Sequence, residues 1–167
     1  MPSIAEPEKL TVAVRETPLP EGVRDLGQLD RIDYFDSYLL TGVPDRTAEQ
    51  WARAMIEDSP APMRTRLVIG WTALGLDLTL PTSDKGVLGW RIAHQTDEAI
   101  VLSAAGRLGL SGNLIFALRP EGLQFVTLIK QSNAVARSAW AKIESGHQAI
   151  VQSLLRQAGK RELGRQD

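Results

Sequence analysis

Between residues 133 and 158 the apolar side chains fall on one stripe. Trp140, Ile143, Ile150, Val151, Leu154 and Leu155 recur at three- and four-residue steps, and His147 shares their face. The spacing predicts one long amphipathic helix. Ahead of it the period drops to two. Residues 87–94 put Leu88, Trp90 and Ile92 on one side, and residues 99–105 put Ile100, Leu102 and Ala104 together. Residues 110–118 group Leu110, Leu114, Phe116 and Leu118, with Asn113 opposite. Residues 123–131 group Phe125, Thr127 and Ile129. Turns at Thr96-Asp97 and Pro120-Glu121-Gly122 are too short for a crossover, so these strands are antiparallel.

The first half of the chain reads differently. Residues 34–40 are rich in strand formers and stop at Gly42-Val43-Pro44. Thr47 and Gln50 form a capping-box pattern that starts a helix through Trp51 and Met55, broken by Ser59-Pro60-Ala61-Pro62. A second short helix is predicted from Met63 to about Leu74, ended by Gly75. Residues 1–30 carry Pro2, Pro7, Pro18 and Pro20 among many charges and read as a flexible, extended arm. Within it, residues 10–14 alternate like a strand able to pair with a sheet edge. The expected organisation is an arm over 1–30, one domain over 31–160 and a frayed polar tail over 161–167. The fold class is α+β: a curved antiparallel sheet, two short helices and one long helix laid across the sheet.

Composition narrows the classes of function. Nineteen basic residues oppose twenty acidic ones, for a net charge of −1, and aromatics make up 5%. That balance offers no footprint for nucleic acid. There is no cysteine, hence no disulfide or thiolate chemistry. The longest apolar run, residues 67–80, is too short for a membrane span and contains Asp77. The N-terminal residues lack the basic flank and apolar run of a signal peptide. The expectation is a soluble cytoplasmic protein, monomer or homodimer, without a cofactor. His94 and His147 stand far apart in sequence, with no metal-ligand spacing. Gly109-Leu110-Ser111-Gly112 lacks the pattern and context of a nucleophile elbow, and no phosphate-cradling glycine loop occurs.

The element order matches a helix-grip arrangement. The chain resembles the START/Bet v 1-like superfamily, also called SRPBCC, which includes polyketide cyclases. Ala136-Arg137-Ser138-Ala139-Trp140 with His147 seven residues later, and Val87-Leu88-Gly89-Trp90-Arg91-Ile92, resemble the uncharacterised proteins grouped as DUF2867. The resemblance spans roughly residues 33–158. It implies a pocket for an apolar small molecule between sheet and closing helix. It carries no catalytic set.

Five residues stand out as candidate ligand contacts: Trp90, Asn113, Thr127, Trp140 and His147. His147 either lines the pocket, bonding a ligand carbonyl or shuttling a proton, or pairs with a strand group and orients the helix. Trp90 and Trp140 either wall a cavity or belong to the core. Trp51 and Trp71, on the small helices, either guard the mouth that this architecture implies or belong to the core. Asn113 and Thr127 either orient a ligand or, for Asn113, face water. Arg91, Arg107 and Lys130 either hold a carboxylate ligand or form a solvated outer face. His94 is an exposed turn residue by default.

Three functions follow. The first is binding of an apolar small molecule: a lipid, a polyketide or a ring compound. The second is a cyclase, aromatase or dehydratase using His147 as acid or base. No carboxylate alternates into the apolar face between residues 87 and 131, so His147 stands alone there, and binding is preferred over catalysis. The third is a ligand-free interaction domain with a filled core.

Overall fold

The computed structural model describes residues 10–80 and 83–166. The elements are β1 (Ala13–Glu16), α1 (Glu21–Arg24), β2 (Tyr34–Thr41), α2 (Ala48–Ile56), α3 (Ala61–Ala73), β3 (Gly86–Val87), β4 (Trp90–Gln95), β5 (Ala99–Ala105), β6 (Leu110–Arg119), β7 (Gly122–Gln131) and α4 (Ala134–Gly164). One seven-stranded sheet runs in the order β1-β2-β7-β6-β5-β4-β3, and every neighbouring pair is antiparallel. The helices α2, α3 and α4 lie on its front face. This is the helix-grip architecture expected from the sequence.

Local chemistry explains the boundaries. Thr47 Oγ1 accepts from Gln50 N and Gln50 Oε1 accepts from Thr47 N, closing the capping box of α2. Gly75, at φ +81°, turns the chain out of α3. The β6–β7 hairpin closes on Pro120 and Glu121 between the paired Arg119 and Gly122. Asn133 caps α4 by accepting from Ala136 N at 2.8 Å.

Four expectations need correction. The segment 87–94 is not one strand. Val87 pairs with Trp90 across a two-residue turn whose central residues, Leu88 and Gly89, both have positive φ, 44° and 92°. That is the backbone of a tight hairpin turn matched to strand twist. A leucine in the turn hides it in sequence, where Asn-Gly or Asp-Gly would announce it.

The second correction concerns residues 10–30. They form β1 on the sheet edge, in keeping with the strand-like alternation of residues 10–14, and α1 behind the sheet, not a flexible arm. The first nine residues lie outside the described residues. Val23 is buried against Val101, Ile115, Val126 and Leu128 on the back face, with Leu19, Leu26, Leu29 and Ile32 packed around it. The strands carry apolar residues on both faces, so the back needs its own cover.

The third is the tail. α4 continues to Gly164 instead of fraying after residue 160. Glu162 is buried and accepts from Arg46 Nε at 3.1 Å and Arg165 Nη1 at 2.9 Å. Arg161 Nη2 donates to the Ala54 carbonyl at 2.7 Å. These residues look solvated by composition, yet Glu162 is held by two arginines, and Arg161 is anchored through Nη2 while its buried Nε has no partner among the described residues. The fourth is Asn113. It is fully buried, on the back face, and its Oδ1 accepts from Gln28 N at 2.9 Å. Its side was read correctly; the cover that excludes water there was not foreseen.

Among the described residues, no helix is long and apolar enough to cross a membrane.

Candidate functional site

The front face is filled at one end and open at the other. Toward its C-terminus, α4 presses Val151, Leu154, Leu155, Ala158 and Gly159 onto α2 and the sheet. Toward its N-terminus only Ala136 and Trp140 are buried. There α4 stands apart from α3, whose single buried residue is Leu67. A cavity of about 730 Å³ lies between them and the sheet. Its floor comes from Leu110, Leu114, Thr127 and Ile129. Trp71 and Leu74 of α3 and Trp140, His147 and Ile150 of α4 form its sides. Ile69 and Ile143, both exposed, face its opening. A second space of about 40 Å³ shares Leu67, Trp71, Leu114, His147 and Ile150 with the first and reaches toward Met55 and Ile56 of α2. The front face is therefore left open along its α3 side.

The walls are aromatic. Trp71 meets Trp90 edge to face, with centroids 5.5 Å apart. Tyr34 and Trp140 are 4.9 Å apart, and Trp140 and His147 are 5.0 Å apart. Both tryptophans picked from the sequence, Trp90 and Trp140, thus border the cavity while also belonging to the core. Trp51 does not line the cavity; it is buried in the packed end. Trp71 does.

His147 is the polar centre. Its Nε2 lies 2.9 Å from Asp36 Oδ2 and 3.3 Å from Thr127 Oγ1. Tyr34 donates its hydroxyl to the same Asp36 oxygen at 2.8 Å, and Gln148 Nε2 donates to the Tyr34 hydroxyl oxygen at 3.0 Å. Burial pushes the Tyr34 phenol up, so it stays protonated and can donate. The other Asp36 oxygen, Oδ1, is buried without a partner among the described residues. Two strands and one helix build the group. Asp36 on β2 pairs in register with Thr127 on β7, and α4 brings His147 down onto both. Nε2 makes both ring bonds, and no described residue bonds Nδ1.

Asp36 is the functional candidate that the sequence reading missed. It lies outside the 87–131 stretch searched for inward carboxylates. The signal was present: Tyr34, Asp36, Tyr38 and Leu40 share one side of a period-two strand, so Asp36 must face inward with them. His147 does not stand alone.

The structure brings together Trp90, Thr127, Trp140 and His147 and leaves out Asn113, on the far side of the sheet. The strand cations lie elsewhere too. Lys130 pairs with Asp30 at 2.7 Å, Arg107 stands near Asp77 at 3.8 Å, and Arg91 is exposed. The cations that do border the cavity are Arg66 on α3 and Lys142 on α4. His94 is exposed.

No family model matches the chain, and no curated protein matches it. The DUF2867 resemblance therefore has no family-level support. Among solved structures the chain is similar to CalU16 from Micromonospora echinospora, a structural genomics target. The match covers 92% of this chain and 96% of that one, at 9% identity and a TM-score of 0.30.

Proposed function

We propose that the protein binds an apolar small molecule, of lipid, polyketide or ring-compound type, in the cavity between α3, α4 and the sheet. The observation that carries this reading is the cavity itself. Its volume of about 730 Å³ falls within the roughly 300–1,000 Å³ of ligand pockets, and its walls are apolar and aromatic with few polar groups. Trp90 and Trp140 supply flat walls. His147 and Thr127 supply the polar point that sets orientation.

The test is native mass spectrometry of freshly purified protein, followed by denaturation and extraction of small molecules. The expected result is a discrete adduct released on unfolding. A clean protein mass, together with no displacement of an environment-sensitive apolar dye, would sink the reading.

A second reading has its own support. The Asp36 carboxylate behind His147 gives the imidazole the partner that acid–base catalysis uses to hold a ring in place. On this reading His147 moves a proton on a cyclising or dehydrating substrate, and Asp36 positions it. His147→Gln would then abolish turnover and leave binding within about threefold; equal turnover in that variant would rule catalysis by His147 out.

A further inference from the structure

We infer that the cavity takes amphipathic acids, an apolar body ending in a carboxylate, and that Arg66 and Lys142 hold the carboxylate at its mouth. The inference rests on the cavity being a binding site. It adds the charge of the ligand's exposed end, and with it the direction in which the ligand enters.

The charged side chains that border the cavity have one sign. Arg66 lines it from α3 and Lys142 from α4, and no described Asp or Glu lines it. The chain as a whole carries a net charge of −1, so a cationic border is a local feature. Both residues are exposed, and neither has a hydrogen bond or ion pair among the described residues. Other cations are engaged elsewhere. Arg64, on the same helix as Arg66, donates to the carbonyls of Glu57 and Ser59, and Lys130 pairs with Asp30. There is also room beside the two cations. Gly70 and Gly146 line the cavity next to them, and a Cβ built on either meets nothing within 4 Å. Charges of one sign at a cleft with apolar walls focus their field on what enters it. An acid with its apolar body inside leaves its carboxylate at the exposed border, where water still reaches it and burial costs little. A cationic end group would be repelled there, and a neutral one would gain nothing from either side chain.

The experiment compares decanoate, 1-decanol and decylammonium, which share nearly one apolar body and differ in the charge of its end. Each displaces the neutral fluorescent probe N-phenyl-1-naphthylamine. Wild type at low salt should hold decanoate roughly tenfold tighter than decylammonium, because each exposed cation contributes roughly two- to fivefold. Arg66→Gln combined with Lys142→Gln should bring that ratio to about one and leave 1-decanol within about twofold. Arg66→Glu combined with Lys142→Glu should invert the preference. The 1-decanol arm reports whether each variant keeps its cavity. Raising salt from about 0.02 M to about 0.5 M needs no variant, and it should shrink the wild-type ratio. Decylammonium held as tightly as decanoate by wild type overturns the inference, as does a preference for decanoate that survives loss of both cations. Either result leaves the cavity reading standing. Failure of the probe and all three compounds to bind removes the cavity reading and this inference with it.

Discussion

The two halves of α4 do different work. From Val151 onward nearly every inward position is sealed: Val151, Leu154, Leu155, Ala158, Gly159 and Glu162 are all buried. Before it, over four turns, only Ala136 and Trp140 are. One continuous helix therefore holds the fold at one end and stands off from it at the other. The difference comes from the partners. α2 packs against the second half, and its Ala48, Ala52 and Ala54 are small and buried. Beside the first half lies α3, a helix with a single buried residue and a glycine, Gly70, in its interior. Stability and binding can thus be changed separately along one element.

The largest separation should come from Leu155→Ala. Leu155 is fully buried in the packed half. Its truncation should cost about 2–5 kcal/mol, from lost transfer energy and the cavity left behind. Urea unfolding measures this. Binding of an apolar dye to the folded protein should stay within about twofold, because Leu155 does not border the cavity. A large loss of dye affinity without loss of stability would mean that the two halves are not separate.

Tyr34→Phe probes the open half at its polar anchor. It removes the hydroxyl that donates to Asp36 and leaves the ring that packs on Trp140. The loss at neutral pH should be about 0.5–1.5 kcal/mol, the net worth of one hydrogen bond, with His147 still on Asp36. The pH dependence has a definite sign. Burial raises the folded-state pKa of Tyr34 above that of the unfolded chain, about 10. Its contribution is therefore complete below pH ~10 and is lost as pH rises from there toward the folded value. Phenylalanine does not titrate, so the stability gap between wild type and variant should narrow above pH ~10. A gap that stays constant between pH 8 and pH 11 would show that Tyr34 ionises freely.

These contrasts also show where the sequence was legible. The period of the apolar positions placed the closing helix, the meander and the face of His147, because packing on one side leaves a periodic trace. Three things left a weaker trace or none. Asp36 was visible in the alternation of residues 34–40 but was not sought outside the meander. The back-face cover by residues 19–32 shows only indirectly, in strands such as residues 99–105 that are apolar on both sides. The cavity left no trace in the periodicity; only the resemblance implied it. Trp90, Trp140 and Ile129 would have the same periodicity beside a filled core, since whether two helices close on each other depends on shapes across the gap. The polar end of α4 failed for a related reason: Arg46, far away in sequence, makes burial of Glu162 affordable.

The smallest effects give the sharpest test, because they apply one substitution to both halves of one helix. Gly146 lies in the first half, and a Cβ built there meets nothing within 4 Å. Gly146→Ala should gain about 0.5–1 kcal/mol, by lowering the entropy of the unfolded chain and raising helix propensity. Gly159 lies in the second half. A Cβ there would sit 2.9 Å from Val12 Cγ1 and 3.1 Å from Val43 Cγ1. The same propensity gain is available to Gly159→Ala, but both contacts are branched side chains with little freedom to yield, so overpacking of about 1–3 kcal/mol outweighs it. The net expectation is a loss of about 1 kcal/mol, opposite in sign to the change at Gly146. Thermal and urea unfolding of the two single variants decide it. If both stabilise, the second half is looser than its burial implies and the contrast along α4 fails. If both destabilise, α3 closes on α4 at Gly146 more tightly than the open cavity allows.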